Sequence, residues 1–335
     1  MTGMADVDCP PRPSTVRLVM REYEADVVVA DKAVVADGVV SLRLEEVGRH
    51  ELPEWEPGAH IDLMMPSGLV RQYSLCGDPA DRRSWRIAVL REPESRGGSV
   101  YVHDSIGTGT ELRIRGPRNH FRLAEAPNYI FIAGGIGITP ILPMVAAAEA
   151  AGATWRLVYG GRTQASMAFL DELAVYGDRV DLWPQDERGL IDLDSVLGEP
   201  REDALVYCCG PQALLKAVEE RCATWSPTAL RFERFAPGTD GEQDWVNRPI
   251  EVELAQQGVT LTVPADQSIL EAIEAQGVMV MSSCRSGMCG TCETPVLSGV
   301  PEHRDDVLSY EEQERNDCMM ICVSRCRGDK LVLDI

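Results

Sequence analysis

Cysteine is the residue whose placement in this 335-residue chain points most directly to chemistry. In "SSCRSGMCGTC", residues 282–292, Cys284, Cys289 and Cys292 stand at C-x4-C-x2-C. Three thiolates on one tight loop, with a fourth from elsewhere, can surround a two-iron, two-sulfide rhomb, and this is the spacing of plant-type [2Fe-2S] ligation. Glycines within the loop let backbone pass close to inorganic sulfides, so that N–H groups can point at them. A structural zinc site would show paired C-x2-C knuckles, whereas here one C-x2-C and one C-x4-C share the middle cysteine. A Rieske centre needs two histidines beside its cysteines, and only His303 lies in this part of the chain. Cys318, Cys322 and Cys326 are all candidates for the fourth thiolate. In "MMICVSRC", Cys322 follows an apolar run, as a ligand presented from a strand would.

A second kind of chemistry is phosphate binding. "IFIAGGIGITPIL" sets Gly135-x-Gly137-x-x-Pro140 between a strand and a helix. Glycines allow the backbone to approach a pyrophosphate, and a helix N-terminus adds free N–H donors and a favourable dipole. "RQYSL" (71–75) and "REPESRGGSV" (91–100), a strand and a loop, supply Arg71 and Arg96 as anion ligands, Gly97, Gly98 and Ser99 as a donor loop, and Tyr73 as a flat aromatic surface. Those are the parts needed to hold a flavin nucleotide by its phosphate and its ring. In "YGGRT" (159–163), Arg162 follows a strand end, where an arginine can grip a 2′-phosphate, which would favour NADPH, or can equally contact an adenine or nothing, and the balance leans slightly to NADH.

These residues need elements to position them. From about Ala25 to Leu123 the chain reads as short strands such as "VVSLRL", "WRIAVLRE" and "ELRIRG", separated by Gly and Pro turns, which predicts a closed antiparallel barrel. From Asn128 apolar strands alternate with helical stretches ("YIFIAGG", "TPILPMVAAAEAAG", "WRLVYGG", "SMAFLDELAVYG", "VDLWPQD", "ALVYCCG", "PQALLKAVEERCATW"), the pattern of βαβ units around a parallel sheet. "APGTDGEQDWVNRP" breaks all periodicity, as a linker does. Beyond it "IEVELAQQGVTLTVP" predicts a hairpin and "SILEAIEAQG" a helix with Ile269, Leu270 and Ile273 on one face.

Bulk properties exclude several classes. A formal charge of −21 argues against nucleic acid, whose binding rests on neutralising phosphates with Lys and Arg. Residues 247–335 hold 7 Lys and Arg against 15 Asp and Glu, a net of −8, which suits a solvated surface or an acidic docking face for a basic protein partner. Eleven cysteines, an odd number, with no apolar segment after a basic start, argue against a secreted disulfide framework and for a reducing cytoplasm. The uncharged run 129–148 contains Gly134, Gly135, Gly137, Pro140 and Pro143, which rules against a membrane helix. His50, His60, His103, His120 and His303 are scattered and offer no facial triad.

In order, "RQYS", "SRGGS", "GPRNHF" (116–121), "GGIGITP", "CCGP" (208–211), "FERF" (232–235) and the C-terminal cysteines make the chain resemble the phthalate dioxygenase reductase family, within the wider ferredoxin–NADP+ reductase superfamily. The resemblance runs from about Ala25 to Ile335. With the Pro-rich start (1–15) read from its composition as disordered and 236–248 as a linker, it implies a multidomain fold: an antiparallel β-barrel domain binding FMN (16–125), an α/β parallel-sheet domain binding NAD(P)H (126–235) and a C-terminal β-grasp domain of plant-type ferredoxin kind (249–335). It further implies Arg71, Tyr73 and Ser74 on the flavin, Ser74 near N5, and Arg96, Gly97, Gly98 and Ser99 on its phosphate. Thr139 and Cys209 fall beside the nicotinamide, with Gly135, Gly137, Gly210 and Arg162 around the rest of the nucleotide. Phe235 covers the flavin until the nicotinamide displaces it, so Ser74, Cys209 and Phe235 form the catalytic centre. Cys322 becomes the fourth cluster ligand beside Cys284, Cys289 and Cys292. The implied activity is that of an oxygenase reductase, moving hydride from NADH or NADPH to FMN and single electrons through [2Fe-2S] to a terminal Rieske-type oxygenase or demethylase or a haem monooxygenase. The alternative is a redox-sensing iron–sulfur flavoprotein with no oxygenase partner.

Overall fold

A computed structural model describes residues 23–66, 68–93, 97–235, 245–308 and 310–335. The expected disordered start, Arg96 and residues 236–244 of the expected linker lie outside the described residues.

The first sheet is antiparallel. It comprises β1 (Glu24–Ala36), β2 (Val39–Glu46), β3 (His60–Met64), β4 (Val70–Ser74), β5 (Ser84–Leu90) and β6 (Glu111–Arg118), in the order β4-β3-β6-β1-β2-β5. Asp37-Gly38 makes the two-residue turn of the β1–β2 hairpin, with Gly38 at φ 72°. The edge strands meet where Leu75 bridges Ile87 and Cys76 N donates to Arg86 O at 2.8 Å, which closes the sheet into a barrel. Period-2 alternation sends Val40, Leu42 and Leu44 of β2 and Ile61 and Leu63 of β3 into one core. Helix α1 (Gly98–Asp104), which begins within the stretch 91–100 expected to be a loop, packs Val102 into that core. Lys32 Nζ fastens its C-terminal end by donating to the carbonyls of Val102 (2.9 Å), His103 (2.7 Å) and Ile106 (2.7 Å).

The second sheet is parallel: β7 (Asn128–Gly134), β8 (Thr154–Gly161), β9 (Val180–Pro184), β10 (Ala204–Cys209) and β11 (Leu230–Glu233), in the order β11-β10-β7-β8-β9. Helices α2 (Ile138–Ala150) and α3 (Gln212–Arg221) lie against opposite cores. Strand order reverses between β7 and β10, so a crevice opens at their carboxyl ends. "SMAFLDELAVYG" forms only a short helix, Leu170–Leu173, and 3-10 turns. Tertiary contacts override its helical pattern: Ala168 N donates to the buried Tyr159 hydroxyl at 2.9 Å, Phe169 at φ 64° lies under the Arg86 guanidinium of the barrel, and Gly177 breaks the helix.

The third unit is a mixed sheet of β12 (Ile250–Leu254), β13 (Val259–Val263), β14 (Glu293–Ser298), β16 (Cys318–Met320) and β18 (Lys330–Leu333), in the order β13-β12-β18-β14-β16. A two-stranded piece, β15 (Pro301–Glu302) with β17 (Arg325–Cys326), completes it. Helix α4 (Ile269–Ala275) starts at a Ser268–Glu271 capping box and buries the expected face, Ile269, Leu270 and Ile273, in a separate core. This is the β-grasp arrangement. Among the described residues no helix is long and apolar enough to cross a membrane.

Candidate functional site

The barrel contributes one edge of the site. Gly97 begins α1 at φ 99°, and a Cβ on Gly98 would fall 2.7 Å from Arg71 Cγ, so only glycine lets the arginine stem of β4 lie across the start of the helix. Arg71 and the Gly97–Ser99 turn are thereby brought together. The Ser99 hydroxyl accepts from Glu92 N at 3.1 Å and so closes the loop that carries the turn. Tyr73 is partly buried against the barrel core, and burial pushes its phenol up to about 12 against the opposite pull of Arg71. An arginine, a glycine turn, an aromatic ring and a buried hydroxyl on one edge form a donor set that fits a flavin mononucleotide.

Ser74, at the end of β4, donates through Oγ to Glu233 Oε2 at 3.4 Å, bridging the barrel to the end of β11. Burial raises the Glu233 carboxyl to about 8, against the pull of the Ser74 hydroxyl, so it holds its proton at neutral pH. Cys209 is the register neighbour of Glu233 across β10 and β11 and is fully buried. Burial, then Glu233, then Cys208 push its thiol well above the ordinary range, so it is a neutral thiol. Phe235 lies two residues beyond Glu233 and is 48 % exposed.

The crevice between β7 and β10 carries the glycines. A Cβ on Gly137 would lie 2.2 Å from the Cys209 carbonyl oxygen, and one on Gly210 would come 3.0 Å from Gly134 Cα. Gly137 and Gly210 therefore hold the two strand ends at backbone contact, while Gly135, at φ 55° with nothing within 4 Å, faces open space. This open backbone fits the approach of a nucleotide. Thr139 is buried, and its hydroxyl donates to Ile136 O at 2.9 Å. Arg162 is exposed just past the carboxyl end of β8, on the same edge of the sheet.

The cysteine loop is shaped by positive φ at Arg285, Gly287 and Gly290. That curl turns backbone donors onto sulfur: Ser286 N and Met288 N each lie 3.4 Å from Cys284 Sγ, and Thr291 N lies 3.5 Å from Cys289 Sγ. Cys322 is presented from the turn just after β16 rather than from the strand itself, with Ser324 N donating to Met320 O at 2.9 Å. Its thiol interacts with those of Cys284 and Cys292 and is raised to about 12, and Cys289 interacts with Cys284. Among the described residues no three His, Cys, Asp or Glu side chains are grouped as a single metal ion requires. Four thiols linked pairwise, with N–H groups aimed at them, fit a two-iron cluster. The rival thiols sit elsewhere: Cys318 on β16 beside Glu293 and Asp317, and Cys326 in the β15–β17 ribbon.

Sequence reasoning passed over Glu233, and also Asp62 and His120 of the barrel. Ser283 Oγ, next to Cys284, donates to Asp62 Oδ2 at 3.1 Å, and a Cβ on Gly290 would fall 2.3 Å from His120 Nε2. "FERF" and "PRNHF" contain two of these residues, but neither string reveals what a lone carboxyl or imidazole will face.

Comparison with known proteins gives concordant results. Residues 252–327 match the family described as "2Fe-2S iron-sulfur cluster binding domain", and residues 131–220 match "Oxidoreductase NAD-binding domain". The chain is 45% identical over 306 residues to phenoxybenzoate dioxygenase subunit beta of Ectopseudomonas oleovorans, covering 90% of this chain and 94% of that protein. The solved structure of phthalate dioxygenase reductase, described as a modular structure for electron transfer from pyridine nucleotides to [2Fe-2S], is 36% identical with a TM-score of 0.67, over 93% of this chain and 98% of that one. An intact type IV self-sufficient cytochrome P450 monooxygenase matches at 41% identity and a TM-score of 0.89, over 93% of this chain and 41% of that larger chain.

Proposed function

The chain belongs to the phthalate dioxygenase reductase family, and on that footing we propose how its residues divide the work. The protein is an NAD(P)H-dependent oxidoreductase, the reductase component of a multicomponent oxygenase system, with FMN and a [2Fe-2S] cluster as its cofactors and a terminal oxygenase as its partner. When bound, NAD(P)H supplies a hydride, FMN takes the electron pair and releases it singly, and the cluster carries one electron at a time.

The chain's own residues bind, orient and keep protons in place. Arg71, Arg96 and the Gly97–Ser99 turn hold the flavin phosphate, and Tyr73 and Ser74 serve its ring. Gly135, Gly137, Gly210 and Thr139 form the nucleotide crevice, with Arg162 at its outer end. The Ser74–Glu233 contact next to Cys209 carries this reading, because it joins the flavin edge of the barrel to the nucleotide edge of the parallel sheet. Glu233, neutral, keeps the Ser74 hydroxyl oriented, and the neutral Cys209 thiol packs without adding charge where hydride passes. Phe235 covers the ring from the end of β11. Cys284, Cys289, Cys292 and Cys322 hold the cluster. The domain limits are 16–125, 126–235 and 249–335. A relative named for a dioxygenase and one fused to a cytochrome P450 favour a Rieske-type or haem oxygenase as acceptor. A reducing cytoplasm, which keeps thiols available for iron, is the compartment that suits these residues.

Anaerobic titration with NADH and then NADPH, followed in the visible spectrum, tests this. Flavin and cluster bands should both bleach, and the more effective nucleotide, compared again in Arg162→Ala, reveals what that arginine contacts. Retention of both bands in protein that holds both cofactors would refute the reductase reading. Cys292→Ser should abolish transfer to one-electron acceptors and leave flavin reduction nearly intact. Equal loss of both in folded protein would refute the division of labour.

A further inference from the structure

The outer face of β3 and β4 is buried at His60, Asp62 and Ser74, although only the inner face of a barrel strand lies in the barrel's own core. Alternation sends Ile61 and Leu63 inward, so His60 and Asp62 face outward, yet they are 5 % and 0 % exposed. Their cover includes the cysteine loop and His120. Ser283 Oγ donates to Asp62 Oδ2 at 3.1 Å, Gly290 sits against His120, and the His120 ring centroid lies 5.9 Å from that of His60. From the barrel side Asp62 Oδ2 accepts from Arg115 Nε at 3.0 Å and Nη2 at 2.7 Å, while Oδ1 accepts from Arg118 and, at 3.3 Å, from Gln72 Nε2. Burial pushes the Asp62 carboxyl up, and Arg118 and Arg115 more than offset it, so it is ionised. Gln72 is the register partner of Asp62, and Ser74 is that of His60. One continuous face therefore runs from Ser74, at the flavin edge, to the residue next to Cys284.

We propose that Asp62, preset by Arg115 and Arg118, is the seat on which Ser283 docks the cluster loop, and that this contact fixes the separation between the flavin edge and the cluster. Asp62 and Ser283 are then positioning residues for internal electron transfer, which falls steeply with distance. This rests on the flavin and cluster reading above. Each hydride brings two electrons and one proton. With both cofactors bound, the flavin would pass those electrons on singly, the cluster would take each as one ferric-to-ferrous change and return to its oxidised form by giving it to the partner, and the proton would go to solvent.

The test uses full-length holoprotein carrying Ser283→Ala, Ser283→Thr or Asp62→Asn. A hydrogen bond to a buried carboxylate is worth roughly tenfold in the equilibrium between seated and lifted loop, so amides of residues 283–291 should exchange with deuterium roughly tenfold faster in Ser283→Ala and near the wild-type rate in Ser283→Thr. In anaerobic stopped flow with NADH, flavin bleaching should be unchanged in all three, while cluster bleaching slows several-fold in Ser283→Ala and Asp62→Asn only. Wild-type exchange and wild-type cluster bleaching in folded Ser283→Ala would overturn the proposal. Asp62→Asn removes the charge between two buried guanidinium groups; should it fail to fold, Ser283→Ala decides alone, because it leaves that ion cluster intact. Absence of flavin bleaching in the wild type would instead refute the functional reading, with deuterium exchange still judging the seat.

Discussion

Ser74 and Glu233 meet although they are 159 positions apart, and the energetics of that contact can be read through pH. In the folded chain Glu233 keeps its proton up to about pH 8, whereas unfolded it ionises near 4.5. The folded state thus binds more protons between those values, and stability falls as pH rises through the window. Its contribution is fully present below about 4.5 and lost as pH passes about 8. Glu233→Gln cannot ionise, so its stability should decline less over that range, by on the order of 4 kcal/mol in urea unfolding. Superimposable pH profiles for the two proteins would show that the carboxyl is not desolvated. "FERF" contains this glutamate with no sign of its role, because its burial comes from other segments. The grouping of the cysteine loop was legible because C-x4-C-x2-C sets Cys284, Cys289 and Cys292 within nine positions, where chain geometry alone keeps them close.

Strand ends and the turns that follow them decide where a nucleotide can approach. "GGIGITP" marks the turn after β7, but only the packed sheet separates the tasks of its glycines. Gly137 lies against the Cys209 backbone and Gly135 faces space. Gly137→Ala would set a Cβ 2.2 Å from a carbonyl oxygen that cannot swing aside, forcing the ends of β7 and β10 apart. Overpacking of this kind costs about 1–3 kcal/mol, and the KM for NADH should rise by roughly tenfold while chemical reduction of flavin and cluster stays normal. Gly135→Ala should lower stability less, since it meets only the strain of a positive φ, about 1 kcal/mol. Equal effects from the two variants, by thermal unfolding, would contradict this assignment. The element pattern also misled in one place: "SMAFLDELAVYG" has helical spacing, and packing of Phe169 and Arg86 across two sheets broke it.

Over the whole molecule, the units are joined in different ways. One apolar core runs from the barrel (Val39, Cys76, Ala88, Phe121) into the parallel sheet (Phe131, Tyr159, Tyr207), whereas the β-grasp unit has its own core. Its described links to the rest include polar ones: Ser283 to Asp62 and Arg234 Nε to Asp306 at 3.2 Å. The net charge of −8 over residues 247–335, within −21 for the chain, predicts that turnover with the terminal oxygenase falls as salt rises while flavin reduction by NADH changes little. Turnover that is flat from low to high salt would leave the charge a solubility feature. The sequence by itself determined the class of fold, the three successive cradles and the cluster spacing, because each is written in residues adjacent along the chain. Only the tertiary structure decided what lies between the cradles. Asp62 reaches Ser283 across 221 positions and Ser74 reaches Glu233 across 159, and a lone polar residue takes its chemistry from the groups that bury it, which neighbours in sequence do not specify.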